Sequence, residues 1–178
     1  MKTSAYVLKL GVTLFLITAL VAAALAAVNM VTEPRIAAAK AEKLQNAISQ
    51  VLPGGGEKLD VPVSGIVTNV YGSDSGYAVE VRPAGFGGNI TMMVGVSRDG
   101  EVLGISIVSH TETAGLGAVA AAKTTAGEAF RAGFEGLTGT AAVTKDGGTV
   151  DAITGATITS RAVCDGVNAA REFVADLD

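Results

Sequence analysis

One cysteine, one histidine and no tryptophan occur in 178 residues. Cys164 on its own cannot form an internal disulfide, and a single thiol excludes any all-cysteine zinc or iron–sulfur site within the chain. It leaves the redox compartment open. Basic clusters are missing too. Beyond Thr32 there are 11 Lys and Arg against 17 Asp and Glu, a net charge of −6. No stretch gathers the cations that a phosphate backbone requires, so nucleic acid is excluded as a partner. Charge of either sign is absent from Leu10 to Val28, a run of 19 residues.

That apolar run sets the organisation of the chain. As a helix it is about 28 Å long, close to the hydrocarbon thickness of a bilayer, about 30 Å. The alternative is a cleavable signal peptide, with Lys2 and Lys9 before the run and Ala24-Leu25-Ala26 resembling a cleavage site. Such apolar regions usually span only about 7–15 residues, which favours a transmembrane helix in the lipid bilayer. Lys2, Lys9 and the terminal amine on one flank balance Arg35, Lys40 and Lys43 on the other, so charge does not fix the orientation. The remaining length suits one domain of ordinary size.

Thr32-Glu33-Pro34 reads as a helix start, with Thr32 as the cap. Ile36, Leu44, Ile48 and Val51 continue at helical spacing until Pro53-Gly54-Gly55-Gly56, which stops a helix and marks a linker. The predicted segments are a short N-terminal stretch 1–9, a transmembrane helix 10–30, a stalk helix and glycine-rich linker 31–56, and a globular domain 57–178. The stalk is either continuous with the membrane span or joined to it.

The globular part is predicted to be α+β, a mainly antiparallel sheet packed with helices. Tyr77, Val79 and Val81 alternate with more polar neighbours, as do Ile90, Met92, Val94 and Val96, and then Leu103, Ile105 and Ile107. Arg98-Asp99-Gly100 supplies a hairpin turn. The alternation implies one buried face. Ala118 to Phe134 reads as one broken helix or two short ones, Gly136 to Gly148 as loop, and Val150 to Ile153 as a brief strand. Val163, Val167, Ala170, Val174 and Leu177 form an apolar stripe on a final helix capped by Thr159 or Ser160.

Thr154-Gly155-Ala156-Thr157 stands just before that helix, where free N–H groups and the positive end of the helix dipole favour a phosphate. Such a string also makes an ordinary turn and cap. The longer stretch Asp151-x-x-Thr154-Gly155-Ala156-Thr157, however, resembles the acceptor sequence of the covalent FMN-binding domain family. His110-Thr111-Glu112-Thr113-Ala114-Gly115-Leu116-Gly117 is similar to that family's Glu-Thr-Pro-Gly-Leu-Gly loop, and Gly85-Phe86-Gly87-Gly88-Asn89-Ile90 to its Gly-Tyr-Gly-Gly-x-Ile segment. With the single N-terminal span, the ordered motifs resemble the G subunits of Rnf-type electron-transport complexes. Ala114 replaces a usual proline, which loosens the loop, and Phe86 lacks the tyrosine hydroxyl.

The resemblance implies that residues 57–178 bind FMN. It implies that a flavin transferase, using FAD and Mg²⁺, joins FMN to Thr157 through a phosphodiester bond and reads Asp151. It also implies electron relay among other membrane and redox subunits, between ferredoxin and NAD, with ion movement and the domain on the outer side. Thr154, Gly155, Ala156, Glu112, Thr113, Leu116 and Gly117 are expected around the flavin. Leu116 would cover a ring face or simply join the core, and Glu112 would serve the flavin loop or end a solvated strand. Lys145 would stabilise an anionic reduced flavin or sit in a solvated turn. His110 is assigned no role, and no triad or dinucleotide motif suggests an independent substrate site. Two alternatives remain: the C subunit of a sodium-translocating NADH:quinone reductase, and a flavin-free membrane-tethered binding module.

Overall fold

A computed structural model describes residues 2–177 and divides the chain into two compact units, Met1–Glu42 and Lys43–Asp178. Helix α1 runs Lys2–Val51 and is the one helix among the described residues long and apolar enough to cross a membrane. The stalk is therefore a continuation of the apolar helix. Thr32 is not a cap: its hydroxyl donates to the Val28 carbonyl at 3.0 Å, one turn back, so the helix passes through it. Pro34 lies inside α1, where its missing N–H costs one ladder bond without ending the helix.

In the second unit, five strands form an antiparallel meander in the order β1-β2-β3-β4-β5: Glu57–Leu59, Val67–Ser73, Gly76–Val81, Thr91–Ser97 and Val102–Ser109. The turn at Arg98-Asp99-Gly100 joins β4 to β5, with Gly100 N–H donating to Ser97 O at 3.0 Å. Helix α2 covers Thr125–Ala132 after a short 3-10 helix Gly117–Ala121, so the alanine-rich stretch forms two pieces rather than one. Helix α3 covers Thr157–Ala175, and its predicted stripe of Val163, Val167, Ala170 and Val174 is buried against Val79, Val81, Met92 and Val94.

The sheet is buried on both faces, not one. Ala47, Ile48, Val51 and Leu52, from the end of α1 and just past it, pack with Tyr71, Ala78 and Met93 on the face opposite α3. Gly95 makes this approach possible, since a Cβ there would lie 2.0 Å from the Val51 carbonyl oxygen. The expected alternation of Leu103 with Ile105 and Ile107 also fails. Gly95 pairs with Gly104 but Val96 with Val102, leaving Leu103 as the extra residue of a bulge. It joins the α1 side of the sheet, while Ile105 and Ile107 join the α3 side.

Two local expectations near the C-terminus are corrected. Val150–Ile153 is not a strand: Val150 makes a single parallel bridge with Val143, and the Ile153 N–H is taken by the Ser160 hydroxyl at 3.0 Å. The cap of α3 is neither Thr159 nor Ser160. The helix starts at Thr157, with Ala156 in the capping position. Ser160 instead donates its hydroxyl to Ala156 O at 3.0 Å, and Thr159 donates to the Glu112 carboxylate. Both hydroxyls serve tertiary ties.

Candidate functional site

Three segments far apart in sequence meet at the start of α3. They are the glycine loop around Phe86, the loop from Glu112 to Gly117, and the turn that leads into Thr157. Together with Lys145 they enclose a cavity of about 370 Å³. This falls within the range of about 300–1,000 Å³ usual for small-molecule sites.

The N-terminus of α3 opens here. Ala156 offers no side chain to the first N–H groups of the helix, and no side-chain cap replaces it. Gly155 turns the chain with φ +75°, a conformation that a β-carbon disfavours, and a Cβ at this position would press to 3.0 Å from Leu116 Cδ2. Thr157 is half-buried and lines the cavity, so its hydroxyl stands beside uncapped helix donors.

Glu112 is buried, 8% exposed, yet fully partnered. Its Oε1 accepts from the Gly87 N–H at 2.8 Å, and its Oε2 accepts from the Thr159 hydroxyl. Gly117 fits only because it has no side chain: a Cβ would be 2.5 Å from both Glu112 Oε2 and Thr159 Oγ1. His110 contributes from behind, its Nδ1 accepting the Glu112 N–H at 3.2 Å.

Lys145, which also lines the cavity, belongs to a single 3-10 turn, Thr144–Asp146. That turn is tied to α3 by Asp146 and Arg161 in a two-pronged pair, with Nε to Oδ2 and NH2 to Oδ1 both at 2.7 Å. The hydrogen bonds from Arg161 hold the Asp146 carboxyl below its usual range. On the buried face of the same helix, Cys164 is pushed up to about 11 by burial, so its thiol stays protonated and unreactive.

The cavity brings together Glu112, Thr113, Leu116, Gly117, Lys145, Gly155, Ala156 and Thr157. Asp151 and Thr154 are not among its walls. They line a neighbouring groove of about 430 Å³ beside Gly115, Phe130 and Ile153. Sequence reasoning passed over Phe86 and Ile158 as wall residues. Among the described residues outside α1, the exposed large apolar side chains are Val63, Phe86, Leu116 and Ile158, and the last three border this cavity. Phe86 lies inside one of the motifs and Ile158 directly follows another, which was the available signal. Thr159 was weighed only as a cap, because its partner lies 47 residues away.

A pocket with apolar walls, hydroxyls, one lysine and an uncapped helix end suits a planar aromatic group carrying a phosphate. Comparison with known proteins points the same way. The model of the FMN-binding domain matches residues 85–172, and that of the RnfG N-terminal region matches residues 1–51. The chain is 33% identical to the G subunit of the ion-translocating oxidoreductase complex of Methanosarcina acetivorans, covering 98% of this chain and 97% of that protein. It is 34% identical to the G subunit of the Na(+)-translocating ferredoxin:NAD(+) oxidoreductase complex of Acetobacterium woodii, covering 91% and 88%. With the proton-translocating counterpart of Clostridium ljungdahlii it shares 39% identity over 84% and 82%.

Proposed function

Because the chain belongs to the G-subunit family of Rnf-type ion-translocating oxidoreductase complexes, we infer that it is a membrane-anchored flavoprotein relaying electrons through FMN joined to Thr157. The observation that carries this reading is the position of Thr157: first residue of α3, at an uncapped helix end, in the wall of a cavity of suitable size. Bound FMN would supply reversible acceptance and release of electrons. The protein's part is placement. The α3 N–H groups would hold the phosphate, Lys145 would stabilise the anionic reduced ring, and Phe86, Leu116 and Ile158 would give the ring apolar surface.

Attachment requires a flavin transferase with FAD and Mg²⁺. The Thr157 oxygen forms a bond to the flavin-side phosphorus, the pyrophosphate bond breaks, AMP leaves, and the hydroxyl proton passes to a base of the transferase. Asp151 and Thr154, exposed on the neighbouring groove, are the side chains available to that enzyme. The partners are then the other membrane and redox subunits of a ferredoxin:NAD oxidoreductase complex, and α1 is the anchor in the bilayer. We place the domain on the outer side of the cytoplasmic membrane. Protease added to right-side-out vesicles should digest it, and full protection would reverse the assignment.

The test of the central reading is intact mass after co-expression with the transferase. The unsubstituted chain should gain FMN less one water, and Thr157→Ala should gain nothing. An equal gain in both would move the attachment elsewhere. A colourless, unmodified chain would leave only a tethered binding module.

A further inference from the structure

Three threonines line the cavity, Thr113, Thr157 and Thr159, and the two on α3 differ in what they can do. Thr159 is 2% exposed and its hydroxyl is already given to Glu112, whereas Thr157 is half-buried at the cavity surface. The same carboxylate takes the Gly87 N–H with its other oxygen. One side chain therefore bridges the glycine loop and the first turn of α3. Thr111 reinforces the contact, its hydroxyl donating to Gly87 O at 2.8 Å. No cation among the described residues pairs with Glu112, and its carboxylate accepts from the Gly87 amide and the Thr159 hydroxyl.

We propose that Glu112 is a positioning residue for flavin attachment: by holding Thr159 and Gly87 it fixes the first turn of α3, presents the Thr157 hydroxyl to the cavity, and withholds the Thr159 hydroxyl from modification. The inference rests on the flavin reading above. It assigns Glu112 a role through Thr159 rather than direct contact with the ring. Hydrogen bonds to a carboxylate are short and directional, so removing one frees the turn to rotate away from the attachment geometry. The proposed effect is on where the Thr157 hydroxyl points.

The experiment follows the rate of FMN incorporation into the full chain, in detergent, by purified flavin transferase with FAD and Mg²⁺, read by intact mass. Peptide mapping locates the adduct, and visible circular dichroism reports the asymmetry of the ring environment. Thr159→Val keeps the shape and deletes the donor, and Glu112→Ala deletes the acceptor. Both should slow attachment roughly ten- to a hundredfold, the scale of a lost hydrogen bond to a charged group. Both should also weaken the flavin dichroism, and Thr159→Ser should restore rate and spectrum. If Glu112→Ala fails to fold, Thr159→Val with its serine rescue decides. Wild-type rates and spectra in Thr159→Val, with FMN on Thr157, would overturn this inference and leave the flavin reading standing. No adduct on the unsubstituted chain would overturn both.

Discussion

The starts of α2 and α3 solve the same problem in opposite ways. At α2, Thr124 is extended and its side chain accepts from the Gly127 N–H at 3.3 Å, with Glu128 in the first turn to meet the positive helix end. That helix is closed on itself. At α3, Ala156 offers nothing, no acidic residue stands in the first turn, and the end faces a cavity. Capping is worth about 1 kcal/mol, so leaving it out has a cost in stability. The difference separates a helix that is there to pack from one that keeps its donors for a ligand.

The sharpest way to probe that contrast is at Thr157 itself. Thr157→Ser should accept FMN, since a primary hydroxyl performs the same chemistry, while Thr157→Ala gains no adduct; intact mass distinguishes them completely. Next in size is Gly155→Val, which forces a branched side chain to φ +75° and against Leu116. It should lower stability by about 1–2 kcal/mol in denaturant unfolding and slow FMN attachment as well. The matching change at the other helix, Thr124→Ala, should cost about 1 kcal/mol yet leave attachment at its original rate. Should it slow attachment to the same degree, the distinction between the two helix starts would fail.

The smallest effect is expected at Asp146→Asn. The Asp146 carboxyl titrates lower in the folded chain than in the unfolded one, because Arg161 hydrogen-bonds its charged form. Its stabilisation is therefore complete above the ordinary carboxylate range near about 4 and fades as pH falls through the lowered folded value. Wild type should unfold at slightly higher denaturant than Asp146→Asn at pH 7, and the two curves should converge on acidification. A gap that persists at low pH would show that shape, not charge, holds the Lys145 turn.

The α+β class and the strands carried by Tyr77–Val81 and Ile90–Val96 were legible in sequence because alternation in a sheet is a local property. The stripe on α3 was legible for the same reason, at a different period. What escaped was decided at long range. The burial of the second sheet face depends on Val51 meeting Gly95, 44 positions on, and nothing near either residue announces it. Leu103 looked like its neighbours until a bulge turned it over. Most of the cavity walls lie in or beside three recognisable motifs, with Lys145 outside them, but Thr159 looked like a cap because hydroxyls before a helix usually are. Its true partner, Glu112, had to be brought beside it by the fold.

The docking of Ile48, Val51 and Leu52 onto the sheet has a practical consequence for anyone wishing to handle the globular part in water. The useful cut lies ahead of Lys43, among the exposed residues of the helix. Severing instead at the glycine linker, where the sequence invites it, would strip a face containing Tyr71, Ala78 and Met93 and yield a fragment prone to clump.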